Sequence, residues 1–427
     1  MRIDHLKVQN FRCFEQAEFD FSPRFNLLVG VNGAGKTSLL KAIVAAMATP
    51  LNGLGKATTW PHAEEGNARL ELVETHGRAR YERCYPVRLD VSGAIAGTPR
   101  SWWLNLEGPG NQPKWEHTVF YALSEMAARV VQGTADALPV VAFYSSERRW
   151  QLKGTSPEQA VRQQDSRLDA YASWHDAALD IKGFENWVVT KSLERLERAS
   201  VSGAESGPAV NDELTLVNQA VANALPGATG VRFDIKYRRM VLDWADRAPV
   251  PFDALSDGQR VLAALVADIA RRMCLLNPQL GNDVLARTPG IVVIDELDMH
   301  LHPAWQRQVV PMLKKVFPMV QFFAASHSPQ IIGELQPEEI ILLRPEGTSH
   351  PQVSYGLDSS QVLEEIMGAT ARTPDVEDAL TKLFATLERN ELDSAREQLK
   401  ALSELAPGIA ELGGAAALLK RKEVLGR

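Results

Sequence analysis

Gly30-Val31-Asn32-Gly33-Ala34-Gly35-Lys36-Thr37 is the stretch on which the reading of this chain turns. It matches G-x-x-x-x-G-K-[ST], in which glycines let backbone N–H groups turn toward phosphate oxygens, the lysine neutralises their charge, and the hydroxyl helps to hold Mg²⁺. Lys36 and Thr37 take the last two roles, and Asn32, Gly33, Gly35 and Ser38 complete the candidate contacts. The flanks agree with the motif. Phe25-Asn26-Leu27-Leu28-Val29 reads as a buried strand and Ser38 to Met47 as a helix. Strand, glycine loop and helix, in that order, is the arrangement a phosphate cradle requires.

Three further segments extend the reading outward. Leu255-Ser256-Asp257-Gly258-Gln259 precedes Val261, Leu262, Leu265, Val266, Ile269, Ala270 and Met273, which fall at helical spacing, so the segment opens a helix. Taken alone it is either a second anion contact at a helix N-terminus or an ordinary cap in which Ser256 satisfies free amides. Its register with the other motifs favours the anion contact, made by Ser256, Gly258 and Gln259. Gly290-Ile291-Val292-Val293-Ile294 carries four consecutive β-branched residues, the pattern of a strand buried on both faces, and ends in Asp295-Glu296. At the carboxyl end of such a strand Asp295 can reach the Mg²⁺ shell, while Glu296 can orient and deprotonate an attacking water. A last strand, Val320 to Ala325, ends in Ser326-His327; that histidine is either structural or a sensor of a γ-phosphate, and its place in the sheet favours the sensor.

Phosphate loop, L-S-x-G-Q-like signature, hydrophobic strand with Asp295-Glu296, and strand-end His327 resemble, in this order, the ABC-type ATPases, a group also described as AAA-family. Within it the chain is similar to the non-transporter branch: SMC and RecF-like ATPases, OLD-family nucleases, and the stand-alone ATPases of anti-phage systems such as Septu and some retrons. The opening Ile3-Asp4-His5-Leu6-Lys7-Val8-Gln9-Asn10-Phe11-Arg12-Cys13-Phe14 resembles the first strand of RecF-like proteins, which implies that Arg12 lies near the nucleotide. Asp295 to Pro303 also resembles this branch and implies that Asp298 lies near a dimer interface. The resemblance implies ATP and Mg²⁺ as cofactors, with Lys36, Glu296 and His327 in catalytic roles and Thr37 and Asp295 on the metal. Asp257 departs from the transporters' usual glycine, and a carboxylate beside phosphate is unfavourable unless it points away or caps the helix. The family's glutamine loop has one candidate position, Gln151, after the strand Val140 to Tyr144.

Composition bounds what else the chain can be. Its 46 basic and 53 acidic residues leave a net charge of −7, unsuited to a broad DNA-binding surface. Local basic runs at Arg232, Lys236, Arg238 and Arg239, and at Arg148-Arg149 before Trp150, read as solvated strand faces or as parts of a phosphate-binding rim. Three cysteines, Cys13, Cys84 and Cys274, form no ligand-spaced pair and suit a reducing compartment. No membrane segment or signal peptide is expected, hence a cytoplasmic protein. His300 and His302 with Asp298 could be read as a zinc site, but their spacing and Pro303 favour His302 at a helix boundary.

The expected fold is α/β: a P-loop NTPase of ABC ATPase type, with a mixed sheet, an antiparallel lobe, a helical insertion and a helical C-terminal tail. Residues 1–150 form the first ATPase lobe, strand-rich with one major helix, in which Leu70 to Val73 pairs with Tyr81 to Val91 and a Pro/Gly-rich loop spans about 93–113. Residues 151–229 form the insertion, with Phe184, Trp187, Val188, Leu193 and Leu196 on one face. Residues 230–345 form the second lobe and 346–427 the tail, where Asp393-Ser394-Ala395-Arg396 resembles a helical segment of Septu-like ATPases. Neither an acidic Toprim pattern nor an HNH-like cluster is present in the sequence. The expectation is therefore an ATP-hydrolysing dimer or higher homo-oligomer that gates a separate effector such as a nuclease, with a RecF-like DNA clamp as the alternative; nucleic acid is an allowed partner and a membrane is not.

Overall fold

The apolar runs flanking the motifs assemble into one central sheet. The computed structural model describes residues 1–55, 65–75, 78–148, 150, 166–202 and 212–425. They form two compact units, Met1–Leu357 and Asp358–Arg427. Strands β1 (Arg2–Phe11) and β2 (Phe14–Asp20) precede β3 (Phe25–Val29), the strand that feeds the phosphate loop. β3 lies in a six-stranded sheet with β9 (Val140–Tyr144), β13 (Gly290–Ile294), β14 (Val320–Ala325), β15 (Ile340–Arg344) and β16 (Gly347–Ser349), in the order β16-β15-β3-β14-β13-β9.

All pairings but the β15–β16 edge are parallel. β3, β9, β13 and β14 are buried at every position, as a parallel sheet covered on both faces demands. Gly290 opens β13 opposite Val140, and a Cβ there would sit 1.9 Å from the Val140 carbonyl oxygen. The glycine thus lets two strands enter the sheet side by side, and the parallel register brings the carboxyl ends of β3, β9, β13 and β14 to one edge. Phosphate loop, Ser145 turn, Asp295-Glu296 and Ser326-His327 all leave from that edge.

A second sheet, β2-β1-β6-β7-β8, is antiparallel, with β6 (Val87–Ile95), β7 (Thr98–Leu106) and β8 (Lys114–Trp115) following the exposed pair β4 (Leu70–Thr75) and β5 (Arg78–Arg83). It is fastened to the central sheet by Gln321 of β14, whose amide nitrogen donates to the Ile3 (2.7 Å) and Ser22 (2.9 Å) carbonyls while its oxygen accepts from the Ile3 N–H (2.9 Å). A buried polar side chain with its donors and acceptor used this way stabilises one docking geometry. Trp102 adds a second tie, its indole N–H donating to the Ala46 carbonyl in the phosphate-loop helix Lys36–Leu51 at 2.9 Å.

Three expectations for this lobe need correction. The stretch near 93–113 is largely a hairpin: β6 runs to Ile95, Ala96 (φ 52°) and Gly97 (φ 78°) make a two-residue left-handed turn, and β7 continues to Leu106. Proline and glycine content masked the alternation that buries Trp102, Leu104 and Leu106 on one face. β4 pairs with β5, not with residues up to Val91, because β6 pairs with β1 instead. A second helix, His117–Val131, buries Val119, Leu123, Met126 and Val130, so the described residues of the lobe hold two major helices, Lys36–Leu51 and this one.

Beyond β9 come the helices Ile181–Ser202 and Glu213–Ala224 and a three-stranded sheet of β10 (Ala228–Asp234), β11 (Arg239–Trp244) and β12 (Val250–Pro251). Phe184, Trp187 and Val188 are buried as expected, whereas Leu196 is exposed. The signature helix Asp257–Leu276 is held by buried charges: Asp268 accepts from Arg272 Nε (2.7 Å), from Arg271 Nη2 (2.9 Å) and from the Tyr144 hydroxyl at the end of β9 (2.8 Å). Arg272 also donates to the Ala170 carbonyl (2.6 Å), so the charges are paired and hydrogen-bonded, the condition for tolerating them inside. In the C-terminal unit, helices Pro374–Glu388, Leu392–Leu405 and Glu411–Leu425 share a core of Leu380, Leu383, Leu387, Ala395, Leu402, Ala415 and Leu419. Among the described residues no helix is long and apolar enough to cross a membrane.

Candidate active site

At the shared sheet edge one cleft of about 220 Å³ is lined by Asn32, Gly33, Gly35, Lys36, Thr37 and Ser38, together with Asp295, Glu296 and His327. Gly33 (φ 84°) and Gly35 (φ 99°) turn the loop through backbone conformations that a side chain disfavours. At Gly35 a Cβ would also meet the Cys13 sulfur at 2.7 Å and the Phe14 ring at 2.9 Å. Cys13 lines the cleft too, a contact no sequence pattern announced beyond its position next to Arg12.

Lys36 folds over the loop, donating to the Gly30 (2.9 Å) and Val31 (3.1 Å) carbonyls, and only 9% of it is exposed. Burial pushes its pKa down, and Asp295, Glu296 and Asp298 offset part of that effect. Thr37 donates its hydroxyl to Asp295 Oδ2 at 3.0 Å. A hydroxyl and a carboxylate at this separation are hard oxygen donors of the kind Mg²⁺ takes, so the pair fits such an ion. Asp295 is buried, with its N–H donating to the Tyr144 carbonyl (2.9 Å), whereas Glu296 is exposed and sits in the left-handed region (φ 49°).

Arg148 departs from the expectation of a solvated or phosphate-facing strand surface: only 4% of it is exposed, and its guanidinium donates to backbone carbonyls. One terminal nitrogen reaches the Asp295 and Ser145 carbonyls (3.1 Å to Ser145) and the other the Glu296 carbonyl (2.7 Å). Burial lowers its pKa to about 10, against the attraction of Asp295, Glu296 and Asp298, so it stays charged at neutral pH. His327 is half-buried, and burial, reinforced by Lys36, pulls its pKa below the usual range despite the three carboxylates. Both effects favour the neutral imidazole, in which one ring nitrogen donates and the other accepts. Asp298 is held by the Ser326 hydroxyl at 2.6 Å.

Other predicted residues lie elsewhere. Arg12 (φ 53°) is not in the cleft lining; it donates to the Asn67 side chain at 3.2 Å. Ser256 caps the signature helix in a reciprocal capping box with Gln259: its hydroxyl accepts from the Gln259 N–H (3.4 Å) and the Gln259 side chain accepts from the Ser256 N–H (3.3 Å). The plain cap is thus real, while the Ser256 side chain remains exposed. Gly258 is buried against the loop that follows Glu296; a Cβ there would lie 2.4 Å from the His300 carbonyl oxygen. Asp257 is neutralised by a hydrogen bond from the Arg260 guanidinium. His302 caps the helix Pro303–Val316, its Nδ1 accepting from Ala304 N–H at 3.3 Å, which occupies it as a helix boundary residue. Gln151 and Arg149 lie outside the described residues.

Two family models match the chain: an AAA domain over residues 5–198, and an "AAA domain, putative AbiEii toxin, Type IV TA system" over residues 144–333. The Retron Ec83 probable ATPase of Escherichia coli is 27% identical over 90% of this chain and 79% of its own length. The Retron Vc95 probable ATPase of Vibrio cholerae is 33% identical over 92% of this chain and 85% of its own, and the Septu protein PtuA of Bacillus thuringiensis 34% over 91% and 90%. A segment of 43 residues, 10% of this chain, is 51% identical to the DNA replication and repair protein RecF of Lactobacillus acidophilus. The chain belongs to the AAA-domain ATPase family that includes the retron Vc95 ATPase and Septu PtuA.

Proposed function

We propose that this ATPase is a nucleotide-driven switch that closes as a dimer around ATP and gates a separate effector, a nuclease by class, in anti-phage defence. The observation that carries the reading is the separation of two halves of one site. Ser256 stands exposed at its own helix N-terminus, while the cleft holding Lys36, Thr37 and Asp295 does not include it. A helix N-terminus favours anions, so Ser256 serves a nucleotide best when that nucleotide is held by another copy.

Within the cleft, loop N–H groups and Lys36 bind the phosphates, Lys36 exchanging the Gly30 and Val31 carbonyls for phosphate oxygens. Thr37 and Asp295 would hold Mg²⁺, which neutralises charge on the transferring phosphoryl group when bound. Glu296 orients the water and takes its proton, and neutral His327 donates a hydrogen bond to the γ-phosphate, so its loss on hydrolysis reopens the dimer. The relatives named for retron and Septu systems support a defence role and a partner effector. A RecF-like clamp acting on DNA is the second reading, favoured by the short RecF match and opposed by the net charge of −7.

The test is affinity purification of the Glu296→Gln protein from its native host with ATP present, followed by mass spectrometry. A stoichiometric nuclease or other toxic protein supports the switch; DNA without a protein partner moves the assignment to the clamp. Sizing the same variant with and without ATP tests closure, and a monomer in both refutes the dimer.

A further inference from the structure

Glu296 is the residue whose geometry matters most and whose local backbone is least favourable. A glutamate gains nothing from the left-handed region, where its Cβ crowds the following carbonyl oxygen. Something outside the loop must therefore over-determine the conformation. The two peptide carbonyls that bracket the φ and ψ of Glu296 are those of Asp295 and Glu296 itself, and both accept from the one guanidinium of Arg148. The same guanidinium returns to the Ser145 carbonyl (3.1 Å), closing its own turn. That turn follows directly from β9, and β9 is fixed on two sides: the Tyr144 carbonyl accepts from Asp295 N–H (2.9 Å), and its hydroxyl donates to buried Asp268 (2.8 Å). Arg148 Nε finds no partner among the described residues, although the group is buried. An arginine kept inside at that cost, on carbonyls and not on a carboxylate, answers to geometry more than to charge pairing.

We propose that Arg148 is a positioning residue for ATP hydrolysis: its planar fork, spanning the Asp295 and Glu296 carbonyls, fixes the Glu296 carboxylate in the cleft. This inference rests on Glu296 being the base. Lysine cannot replace the fork, because an ammonium presents no rigid pair of donors.

The experiment uses the full chain with Arg148→Lys and Arg148→Gln, beside wild type and Glu296→Gln. ATP affinity, single-turnover hydrolysis and thermal unfolding are measured on each. The expected result for Arg148→Lys is ATP affinity within about three-fold of wild type and hydrolysis slower by about 100-fold, the penalty for roughly 1 Å of misplacement at a reacting group. Hydrolysis within three-fold of wild type by a folded Arg148→Lys overturns the proposal, as does a loss confined to ATP affinity. If neither variant folds while Glu296→Gln does, Arg148 serves stability alone and the proposal falls. If Glu296→Gln hydrolyses like wild type, the base assignment fails and takes this inference with it.

Discussion

Replacing Gly258 with alanine puts the packing of the signature helix under direct test. The new Cβ would lie 2.4 Å from the His300 carbonyl oxygen, about 1 Å inside the 3.4 Å at which ordinary contact begins, and the obstacle is backbone. Overpacking of this kind costs about 1–3 kcal/mol, while alanine over glycine inside a helix returns about 0.5–1 kcal/mol. The net expectation is a loss of about 1 kcal/mol, within a range of about 0–2.5 kcal/mol. All nine tryptophans lie before residue 358, so urea unfolding followed by tryptophan fluorescence reads the unit that carries the change. Gly414→Ala is the control, since a Cβ there has nothing within 4 Å; followed by circular dichroism, it should stabilise its own helical unit by about 0.5–1 kcal/mol. The clash is relieved only by moving the helix start or the turn after Glu296, so hydrolysis should fall by up to about 100-fold with ATP affinity little changed. A Gly258→Ala protein as stable as wild type and as fast in hydrolysis would refute the close contact and the argument built on it.

Three further outcomes follow from the site. Lys36→Ala should abolish ATP binding measured by equilibrium titration, because no other lysine among the described residues lines the cleft. Ser256→Arg should leave ATP binding by the same chain nearly intact yet abolish hydrolysis; loss of binding would make Ser256 a structural cap only. Asp268→Asn should cost up to about 3–5 kcal/mol in denaturant unfolding, since it removes the fully buried carboxylate and leaves Arg271 and Arg272 to share Asp180 alone. Burial opposes ionisation of Asp268, but Arg272 and Arg271 outweigh it and lower its pKa. A lowered carboxylate pKa contributes stability that is full above the unfolded value near 3.9 and is lost as pH falls through the folded one. The Asp268→Asn deficit should therefore be constant from pH 5 to 8 and shrink only in stronger acid.

What the sequence disclosed and what it withheld divide along a physical line. The phosphate loop, the β-branched run before Asp295 and the helical stripe after Ser256 are local: each is a periodicity or a glycine requirement written within a few residues, and each brought its element to the expected place. The hairpin through Gly97 is also local, but its turn glycine and Pro99 have the composition of a loop, while the inward alternation of Trp102, Leu104 and Leu106 carries the stronger signal. Arg148 could not be found that way. The two partners that matter are main-chain oxygens 147 and 148 residues further along the chain, and a carbonyl has no residue identity to search for. The same holds for Gly258, whose need for hydrogen in place of a side chain is set by the carbonyl of His300 across a helix–loop contact. Both contacts bear on the turn that carries Glu296: the guanidinium holds its two carbonyls and the glycine leaves room for its continuation. The residue assigned the chemistry is thus legible from sequence, whereas the backbone geometry that aims it depends on main-chain contacts that only the folded chain creates.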